Sequence, residues 1–475
     1  MKRLNILEVP TSYHYSLLVV LLVSGCSQSH SPAPPPPAST SGSVTIYPPS
    51  LSLRHGDSWS FTATVSPADT PLIWKVQEGS SGGSVNDAGF YIAPAAEGVY
   101  HVIATSQSDP SKSATATVNV GNSGFNLTGN LGHARNGHTA TLLPNGKVYI
   151  AGGGIDSTDP NIEDGVTIVD TDELFDLTTG ISQAAGEVAR AFHTATVLQN
   201  GDVLFTGGIV DDTAAQGLIL TKTAEILNGI SGSLQPTGSM ALARYYHTAT
   251  RLQDGRVLIT GGWARSATDF TVTNSAEIYD PSSGSFSRVG DMAAARDRPS
   301  ATLLASGKVL VTGGGVAAAE LFDPATNSFT PAGSTASRWV GDATLLADGR
   351  VLVSGEADSD LSSPIASELY DPTTGKFTPT GTMATVRFGY TSTQLPDGTV
   401  LIAGGAMPVP ASPGTYSQSP LSTTEIYNPK TGTFSPGPMM RQGRFGHTAT
   451  LLPDGSIFIA GGRDGSVLAS TELYR

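Results

Sequence analysis

The stretch RFGHTATLLPDGSIFIAGG, Arg444 to Gly462, contains the features that decide the fold of this 475-residue chain. It reads as a strand through HTATLL, a turn at Pro-Asp-Gly, and a second strand that ends in a double glycine. Tight hairpin turns need positive φ values, which Asp-Gly and Asn-Gly pairs accept readily. The double glycine fits the end of a strand where another backbone comes close, because glycine has no Cβ to clash.

Six other stretches repeat this pattern, so the motif serves architecture rather than a single loop. Successive copies begin 55, 54, 52, 42, 49 and 57 residues apart, and such a period predicts a solenoid or a propeller. We number the copies as repeats one to seven. They open at Arg135, Arg190, Arg244, Arg296, Arg338, Arg387 and Arg444.

Each repeat is predicted to form four strands, as repeat three illustrates. HTATRL and RVLITGG give the first two strands, which are joined by an Asp-Gly turn. The third strand is AEIYDP, Ala276 to Pro281, and the fourth is GSFSRVGDM after a glycine-containing turn.

The two ends of the repeat region predict how it closes. The chain stops at TELYR, a third strand with no fourth, and the region is entered through GFNLTGNLGHAR. Phe125 precedes Arg135 by ten residues, the same offset as Phe286 to Arg296. The segment at Phe125 should therefore supply the missing strand of repeat seven, which would leave no exposed strand edges at the seam.

The composition agrees with an all-β protein and excludes one class of partner. Charged residues make up 14% of the chain, whereas glycine (55) and proline (31) are abundant, which favours short strands and turns. The formal net charge of −14 repels phosphate backbones, so we expect no nucleic-acid partner.

The N-terminus carries the features of an export signal. Lys2 and Arg3 precede a short apolar run in residues 1–25, which predicts a signal peptide. Val23-Ser24-Gly25-Cys26 resembles a bacterial lipobox, which implies lipidation of Cys26; a chance cysteine after an apolar run is the alternative. Ser27 then implies the outer membrane or cell surface, with the membrane contacted through the lipid alone. Residues 26–42 are rich in proline and serine and should form a linker.

Residues 43–121 alternate apolar and polar positions between Gly, Pro, Asp and Ser, as small β-sandwiches do. With Trp74 at the core position, GFYIAP at Gly89 to Pro94, and a closing SATATVNV, this region resembles the bacterial Ig-like domains. The resemblance implies a stalk or spacer.

Residues 122–475 resemble the Kelch repeats, which also build the galactose oxidase propeller. The matching features are the double glycine, a glutamate before an apolar-aromatic pair, the aromatic of the fourth strand, and the opening arginine. The resemblance implies a seven-bladed Kelch-type β-propeller. Repeat five departs from the pattern, with Gly355-Glu356 in place of the double glycine. For function the resemblance is weak, because propellers host many activities.

One glutamate per repeat accompanies the seven arginines in apolar surroundings. Unpaired charges would be costly there, so we expect structural Arg–Glu pairs; a basic ring that grips an anionic ligand is the alternative. The glutamates are Glu173, Glu225, Glu277, Glu320, Glu368, Glu425 and Glu472.

Four histidines occupy one repeat position, three residues after the arginine: His138, His193, His247 and His447. Equivalent residues of adjacent blades lie too far apart for metal bonds of about 2 Å. We expect hydrogen-bonded strand residues, and metal or ligand contacts remain the alternative.

The resemblance to galactose oxidase raises the question whether this chain could carry the same copper-radical chemistry. That enzyme uses a copper centre with a tyrosine cross-linked to a cysteine, whereas the one cysteine of this chain is Cys26. We therefore predict no catalytic residues, no metal and no cofactor. Asp211, Asp212, Asp358 and Asp360 lack EF-hand spacing and indicate solvated loops rather than a calcium site.

The variable positions favour a binding surface. Loops between second and third strands are long in repeats one, two, three and six, and they should emerge on one face together with the connections into the first strands. Aromatic residues on that face could stack on sugars or fill peptide pockets, although packing between blades is an equal alternative for each. We predict a surface-anchored protein that binds a protein or glycan ligand; the alternative is an extracellular carbohydrate-active enzyme without copper-radical chemistry. The candidate residues are Phe192, Tyr245, Tyr246, Trp263, Trp339, Phe388 and Phe445.

Overall fold

The computed structural model describes residues 43–47, 49–66, 71–121, 124–156, 166–212, 217–265, 270–355, 366–412 and 415–475. Strands dominate this part of the chain, where one short 3-10 helix at Gly79–Gly82 is the single helical element, so the all-β expectation is confirmed. None of the described helical structure could cross a membrane. The predicted signal peptide, Cys26 and the linker 26–42 lie outside the described residues. The described residues divide into two compact units, one within 43–121 and the other within 124–475.

The N-terminal unit contains three small sheets around a core that includes Phe61, Tyr91, Val102 and Val118. Trp74, expected at the core position, is only partly buried. A four-stranded sheet has the order Ser50–Arg54, Ser113–Gly121, Gly98–Ser106 and Leu72–Val76, with its first two strands parallel. A second sheet has the order Ser58–Ser60, Phe90–Ile92 and Ser84–Val85. The third sheet pairs Ser43–Tyr47 with Thr62–Ser66.

The C-terminal unit contains seven four-stranded antiparallel sheets, one for each repeat, and each sheet keeps the chain order predicted from the sequence. The strands of sheets one to three are Thr139–Leu142, Val148–Ala151, Asp172–Asp176 and Ile181–Gly186; Thr194–Val197, Val203–Thr206, Ala224–Leu227 and Leu234–Pro236; and Thr248–Arg251, Val257–Thr260, Ala276–Asp280 and Ser285–Arg288. Those of sheets four to six are Ser300–Leu303, Val309–Thr312, Ala318–Asp323 and Ser328–Ser334; Val340–Leu345, Val351–Gly355, Ala366–Asp371 and Lys376–Thr382; and Thr391–Gln394, Val400–Ala403, Thr424–Asn428 and Thr433–Pro436. Sheet seven has Thr448–Leu451, Ile457–Ala460, Ser470–Tyr474 and, as its fourth strand, Phe125–Asn130.

The fourth strand of sheet seven comes from the start of the repeat region, as the sequence predicted. Phe125 pairs with Tyr474 and Leu127 with Glu472 in an antiparallel ladder. The Phe125 ring is buried, with its centroid 5.2 Å from that of Tyr474. The two ends of the unit are therefore held together by backbone pairing and by an aromatic contact.

Backbone hydrogen bonds join neighbouring sheets at six of the seven junctions in the described residues. The N–H of Gly153 in repeat one donates to the carbonyl oxygen of Arg190 in repeat two at 2.9 Å, and repeat seven returns to repeat one through Gly462 and Arg135 at 3.0 Å. Both donors are the second glycine of the double glycine, and their φ values of 96° and 90° suit glycine. The first strands of neighbouring sheets contact each other in the same order, including those of sheets seven and one.

The hydrophobic cores lie between neighbouring sheets. Each second strand is buried along its whole described length, which explains why these strands are continuous apolar runs such as VYIA and IFIA rather than alternating ones. Val148 and Ile150 of sheet one, for example, pack with Phe458 and Ala460 of sheet seven. Seven of the hydrophobic clusters among the described residues each join two neighbouring sheets in this way, and a further cluster packs among the hairpins.

Four of the connections between second and third strands are β-hairpins, although the sequence predicted only long loops. Isolated bridges such as Asn136 with Gly154 and Ala191 with Ile209 join the start of a hairpin to the connection that enters the first strand. The hairpins and these connections therefore share one face, as expected. The hairpin strands are Gly154–Asp156 with Val166–Ile168, Ile209–Asp212 with Gly217–Leu220, Trp263–Arg265 with Phe270–Val272, and Ala406–Ser412 with Thr415–Pro420; Ala243–Tyr245 adds a third strand to the one in repeat three.

Candidate functional site

Six of the repeat arginines are buried and form ion pairs with the glutamate of their own repeat; the glutamates are buried too, except Glu225, whose side chain is 25% exposed. In each case the guanidinium also donates to the carbonyl oxygen of the first glycine of the double glycine, as Arg444 does to Gly461 at 2.8 Å. Arginine, glutamate and double glycine therefore form one structural element. The pairs are Arg135–Glu173, Arg190–Glu225, Arg244–Glu277, Arg296–Glu320, Arg387–Glu425 and Arg444–Glu472.

The glutamates also hold the connection that enters each repeat. Glu277 accepts the N–H of Ala241 at 2.7 Å, and Glu472 accepts that of Arg441 at 2.7 Å. Burial raises the pKa of Glu173, but the Ser182 hydroxyl, the Gly132 N–H and Arg135 outweigh it and hold that pKa below its ordinary value. With the guanidinium groups neutralised and out of contact with solvent, these arginines do not offer a basic ring to an anionic ligand.

Repeat five departs from this arrangement, and the expectation of a buried Arg338–Glu368 pair is wrong in one respect. The side chain of Arg338 is exposed, unlike the other six arginines, which are at most 3% exposed. Glu368 is buried and accepts the N–H of Ala336 at 2.7 Å. The connection here is held by hydroxyls instead, since Thr335 donates to the carbonyl of Ser337 at 2.5 Å.

The four repeat histidines form a belt of side-chain hydrogen bonds between sheets. The Nε2 of each histidine lies within 3.1 Å of a threonine Oγ1 in the preceding sheet. The bonds are Thr391–His447, Thr448–His138, Thr139–His193 and Thr194–His247, and they link sheets six, seven, one, two and three. The histidines are thus hydrogen-bonded, as expected, but each lies immediately before the first strand of its sheet rather than in it.

Burial keeps these histidines neutral, and their Nε2 atoms are already engaged by threonine hydroxyls. Burial, followed by the nearby arginines, lowers the pKa of His138, His247 and His447 to about 3, so the rings are neutral at physiological pH. Within the described ranges, no three His, Cys, Asp or Glu side chains come together as a metal site would require.

The histidine position is occupied by other residues in repeats four, five and six, with Tyr390 in repeat six, and a depression of about 430 Å³ opens at repeats three to five. Pro299 and Gly341 replace the histidine, so the space between sheets three, four and five is not filled by imidazole rings. The lining includes Tyr246 and Thr248 of repeat three, Arg298 and Ser300 of repeat four, and Asp342 of repeat five. We call this the belt gap.

One repeat position near the belt gap has a positive φ, in the left-handed region, in six of the seven repeats. The second residue after the arginine is glycine in repeats one, six and seven, with φ between 61° and 66°. Repeats two, three and four place Phe192, Tyr246 and Arg298 at this position, with φ of 56°, 55° and 50°. Such conformations cost roughly 1–3 kcal/mol each for residues with a side chain, and they concentrate at functional sites.

These three side chains form a continuous row on the hairpin face. The ring centroids of Phe192 and Tyr246 are 4.8 Å apart, and the guanidinium carbon of Arg298 lies 4.5 Å from the Tyr246 centroid. The row therefore combines an aromatic contact with a cation–π contact. Its end at Arg298 borders the belt gap.

The seven predicted aromatic residues do not form one surface. Tyr245 is buried at 4% exposure, where it packs with the hairpins of repeats two and three, and Trp263 stacks on Phe270 at 5.0 Å. Phe388 and Phe445 contact each other elsewhere, at a centroid distance of 6.2 Å. The ring of Trp339, in repeat five, packs beside Gly315 of repeat four. Tyr246 alone among the seven lines the belt gap.

Asp342 is the one acidic side chain of the belt gap, and its environment disfavours the charge. Burial raises the pKa of this carboxyl to about 6, while N–H groups of Ala343 and Ser392 counter part of the effect. The other six repeats have threonine or serine at this position. A β-bulge between Val340 and Asp342 precedes the carboxyl, and bulges commonly re-aim a side chain beside a site.

Sequence reasoning missed Arg298, Ser300 and Asp342. The signal was nevertheless present, because RDRPSAT and RWVGDAT differ from the HTAT pattern of repeats one, two, three and seven at the residues that line the belt gap. Of the predicted acidic loop residues, Asp211 is exposed, whereas Asp358 and Asp360 lie outside the described residues, as does the side chain of Asp212.

The donor groups of this chain do not fit a copper-radical centre of the galactose oxidase kind. The repeat histidines direct Nε2 to threonine hydroxyls. The one cysteine of the sequence is at position 26, far along the chain from the repeats.

Comparison with known proteins finds similarity among solved structures, whereas the two sequence-based comparisons find none. No family model matches the chain. No curated protein matches it either. Among solved structures, a fungal alcohol oxidase of the AA5 family, in complex with copper, is similar with a TM-score of 0.55 and 17% sequence identity, over 75% of this chain and 76% of that one. At this identity the likeness concerns the fold alone, and it shows that this all-β chain has a galactose-oxidase-like β-propeller fold.

Proposed function

We propose that the C-terminal unit is a closed, seven-bladed propeller of the Kelch type that binds a protein or glycan ligand on its hairpin face. In this proposal each four-stranded sheet is one blade. The sheet-to-sheet hydrogen bonds from repeat one to repeat two and from repeat seven back to repeat one support a closed ring. The N-terminal unit would be an Ig-like spacer, and lipidated Cys26 would hold the chain at the outer membrane or cell surface.

The observation that carries the binding proposal is the convergence of departures from the repeat. The residues that break the motif in repeats four and five are far apart in sequence yet line one depression with Tyr246. The four contacts that link sheets six, seven, one, two and three are made without these departures. Variation that a repeat architecture does not require is typical of binding sites.

A labelling experiment tests whether the ligand binds on the hairpin face. Arg265→Cys places a thiol on the exposed hairpin of repeat three, and Ile230→Cys places one on the opposite face, where Ile230 is 86% exposed. Each full-length variant is coupled to a bulky maleimide and applied to glycan and peptide arrays. We expect the label at position 265 to reduce ligand binding at least fivefold and the label at 230 to leave it unchanged.

Two results of that experiment would overturn the proposal. Either the unlabelled chain retains no glycan or peptide on the arrays, or the label at position 230 blocks binding while the label at 265 does not. The parent chain carries the same Cys26, so any labelling there affects both variants equally.

A carbohydrate-active enzyme is the second candidate, and Asp342 is the observation that favours it. A carboxyl group with a pKa near 6 in a small depression could donate a proton to a leaving group at neutral pH. The test is hydrolysis of oligosaccharides bound on the array, followed by the release of new reducing ends. Release that persists in Asp342→Asn would remove this carboxyl from the reaction.

A further inference from the structure

We propose that the belt gap is a subsite for a single neutral sugar residue, with Asp342 and Arg298 as its polar contacts. This inference rests on the proposed ligand-binding function and deepens it by naming the site and the ligand class. The volume of about 430 Å³ lies within the range of small-molecule sites, roughly 300–1,000 Å³. It suits one sugar ring better than a folded partner or a flat aromatic ligand.

The charges of the belt gap favour a neutral ligand. Its lining has one cation, Arg298, and one carboxyl group, Asp342, because the imidazole of His247 is neutral. Arg298 is also 3.4 Å from the carboxylate of Asp297. An anionic ligand would meet two carboxyl groups and a net charge of −14, and a cationic ligand would meet Arg298.

The hydrogen-bonding groups match the hydroxyls of a sugar. A carboxylate has about four acceptor positions, and Asp342 uses two of them for backbone N–H groups of Ala343 and Ser392. The remaining positions can accept two ligand hydroxyls, while the guanidinium of Arg298 can donate to a third. Ser300 and Thr248 add hydroxyls that both donate and accept.

The side chains of Tyr246, Arg298 and Asp342 are positioned by backbone conformations that are energetically unfavourable and that the repeat fold does not need. Tyr246 and Arg298 occupy left-handed positions that glycine fills in three other repeats, and a bulge precedes Asp342. Phe192 packs against the Tyr246 ring, with the two ring centroids 4.8 Å apart. Such preorganisation reduces the entropy that a ligand must overcome on binding.

Binding measurements on full-length variants test the subsite. The probes are neutral oligosaccharides and uronic-acid or sulfated oligosaccharides on one array, followed by titration of the strongest neutral probe in solution. We expect Asp342→Asn and Arg298→Ala each to weaken the neutral probe at least tenfold. The matched controls, Asp348→Asn and Arg265→Ala, remove an exposed carboxylate and an exposed guanidinium outside the belt gap and should change affinity less than twofold.

The outcomes separate this inference from the proposed function. Binding of a neutral glycan that is unaffected by both belt-gap variants overturns the subsite and leaves the binding function in place. Preference for acidic glycans overturns the neutral-sugar assignment. The absence of any array ligand overturns both proposals. Arg298→Ala is the safer variant to fold, because the Arg298 side chain is 48% exposed, so a stable Arg298→Ala variant with unchanged affinity is decisive.

Discussion

Replacing Glu472 by glutamine should lower the free energy of unfolding by about 3–5 kcal/mol, which is the usual effect of breaking a buried ion pair from one side. The side chains of Glu472 and Arg444 are both 0% exposed, and their N···O distance is 2.9 Å. Glutamine keeps the shape of the side chain but leaves the guanidinium buried without a countercharge. Burial already lowers the pKa of Arg444, and Glu472 is the group that counters this shift. Chemical denaturation of the full-length chain, monitored by tryptophan fluorescence, measures the change.

Repeat five supplies the matched control for this prediction. Arg338 occupies the same repeat position as Arg444, but its side chain is exposed. Arg338→Ala should therefore cost less than about 1 kcal/mol, as expected for an exposed ionic contact. A loss in Glu472→Gln no larger than that in Arg338→Ala would contradict a structural role for the buried pairs.

The repeat architecture was predictable because its determinants are local and occur seven times. Asp-Gly turns, apolar second strands and the double glycine each favour the same strand order in every copy. The closing strand was also predictable, since Phe125 keeps the offset to the next arginine that other repeats show. Where one repeat is ambiguous, the others define its strands.

The position of Arg338 was not predictable from spacing alone. A buried arginine needs a glutamate and the carbonyl of the first glycine in the right place, and the double glycine is the part of the motif that repeat five lacks. Near Arg338 the hydroxyls of Thr335 and Ser337 make the local contacts instead. A residue that matches a motif in type can therefore differ in burial when one of its partners changes.

The aromatic residues illustrate a second limit of sequence reasoning. Tyr245 and Trp263 were candidates for ligand contacts because they lie on the hairpin face. In the structure Trp263 and Tyr245 pair through the backbone, and both rings pack near Phe270. The sequence did not predict the hairpins, so it could not predict that the aromatics would be used to pack them.

The belt gap could not be predicted from the repeat pattern, because the pattern identifies the residues that the copies share. The belt gap is lined instead by residues at which repeats four and five differ from the other copies. Pro299 and Gly341 each look like a lost histidine when read singly. Both residues line the same depression only because sheets three, four and five are neighbours in the structure. The site is a property of adjacent repeats rather than of one motif.

Asp342→Asn should raise the free energy of unfolding at pH 7 by about 1–2 kcal/mol, although we expect it to impair ligand binding. The folded protein raises the pKa of this carboxyl from 3.8 to about 6, a difference of about two units. At 1.36 kcal/mol per unit the ionised group would cost about 3 kcal/mol at most, and partial contact with solvent reduces that figure. Asparagine removes the charge and keeps the size of the side chain.

The pH dependence gives this prediction its sign. Between about pH 4 and pH 6 the folded state holds the Asp342 proton more tightly than the unfolded state does, so the contribution of this group to stability is greatest below pH 4 and is lost as pH rises through 6. The difference between Asp342→Asn and the parent chain should therefore be full at pH 7 and near zero at pH 4. Denaturation of both proteins at several pH values measures it, and other carboxyl groups cancel in the difference.

Asp348→Asn is the control for this effect within the same repeat. Its carboxylate accepts hydrogen bonds from Arg350, which lower the pKa of Asp348, so neutralising it should leave stability unchanged or slightly reduced at pH 7. An Asp342→Asn variant less stable than the parent at pH 7 would show that the carboxylate is favourably paired. In that case the Asp342 charge would not lower the free energy of unfolding. A gain at pH 7 that vanishes at pH 4, together with weaker sugar binding, is the pattern of a residue kept for its ligand rather than for the fold.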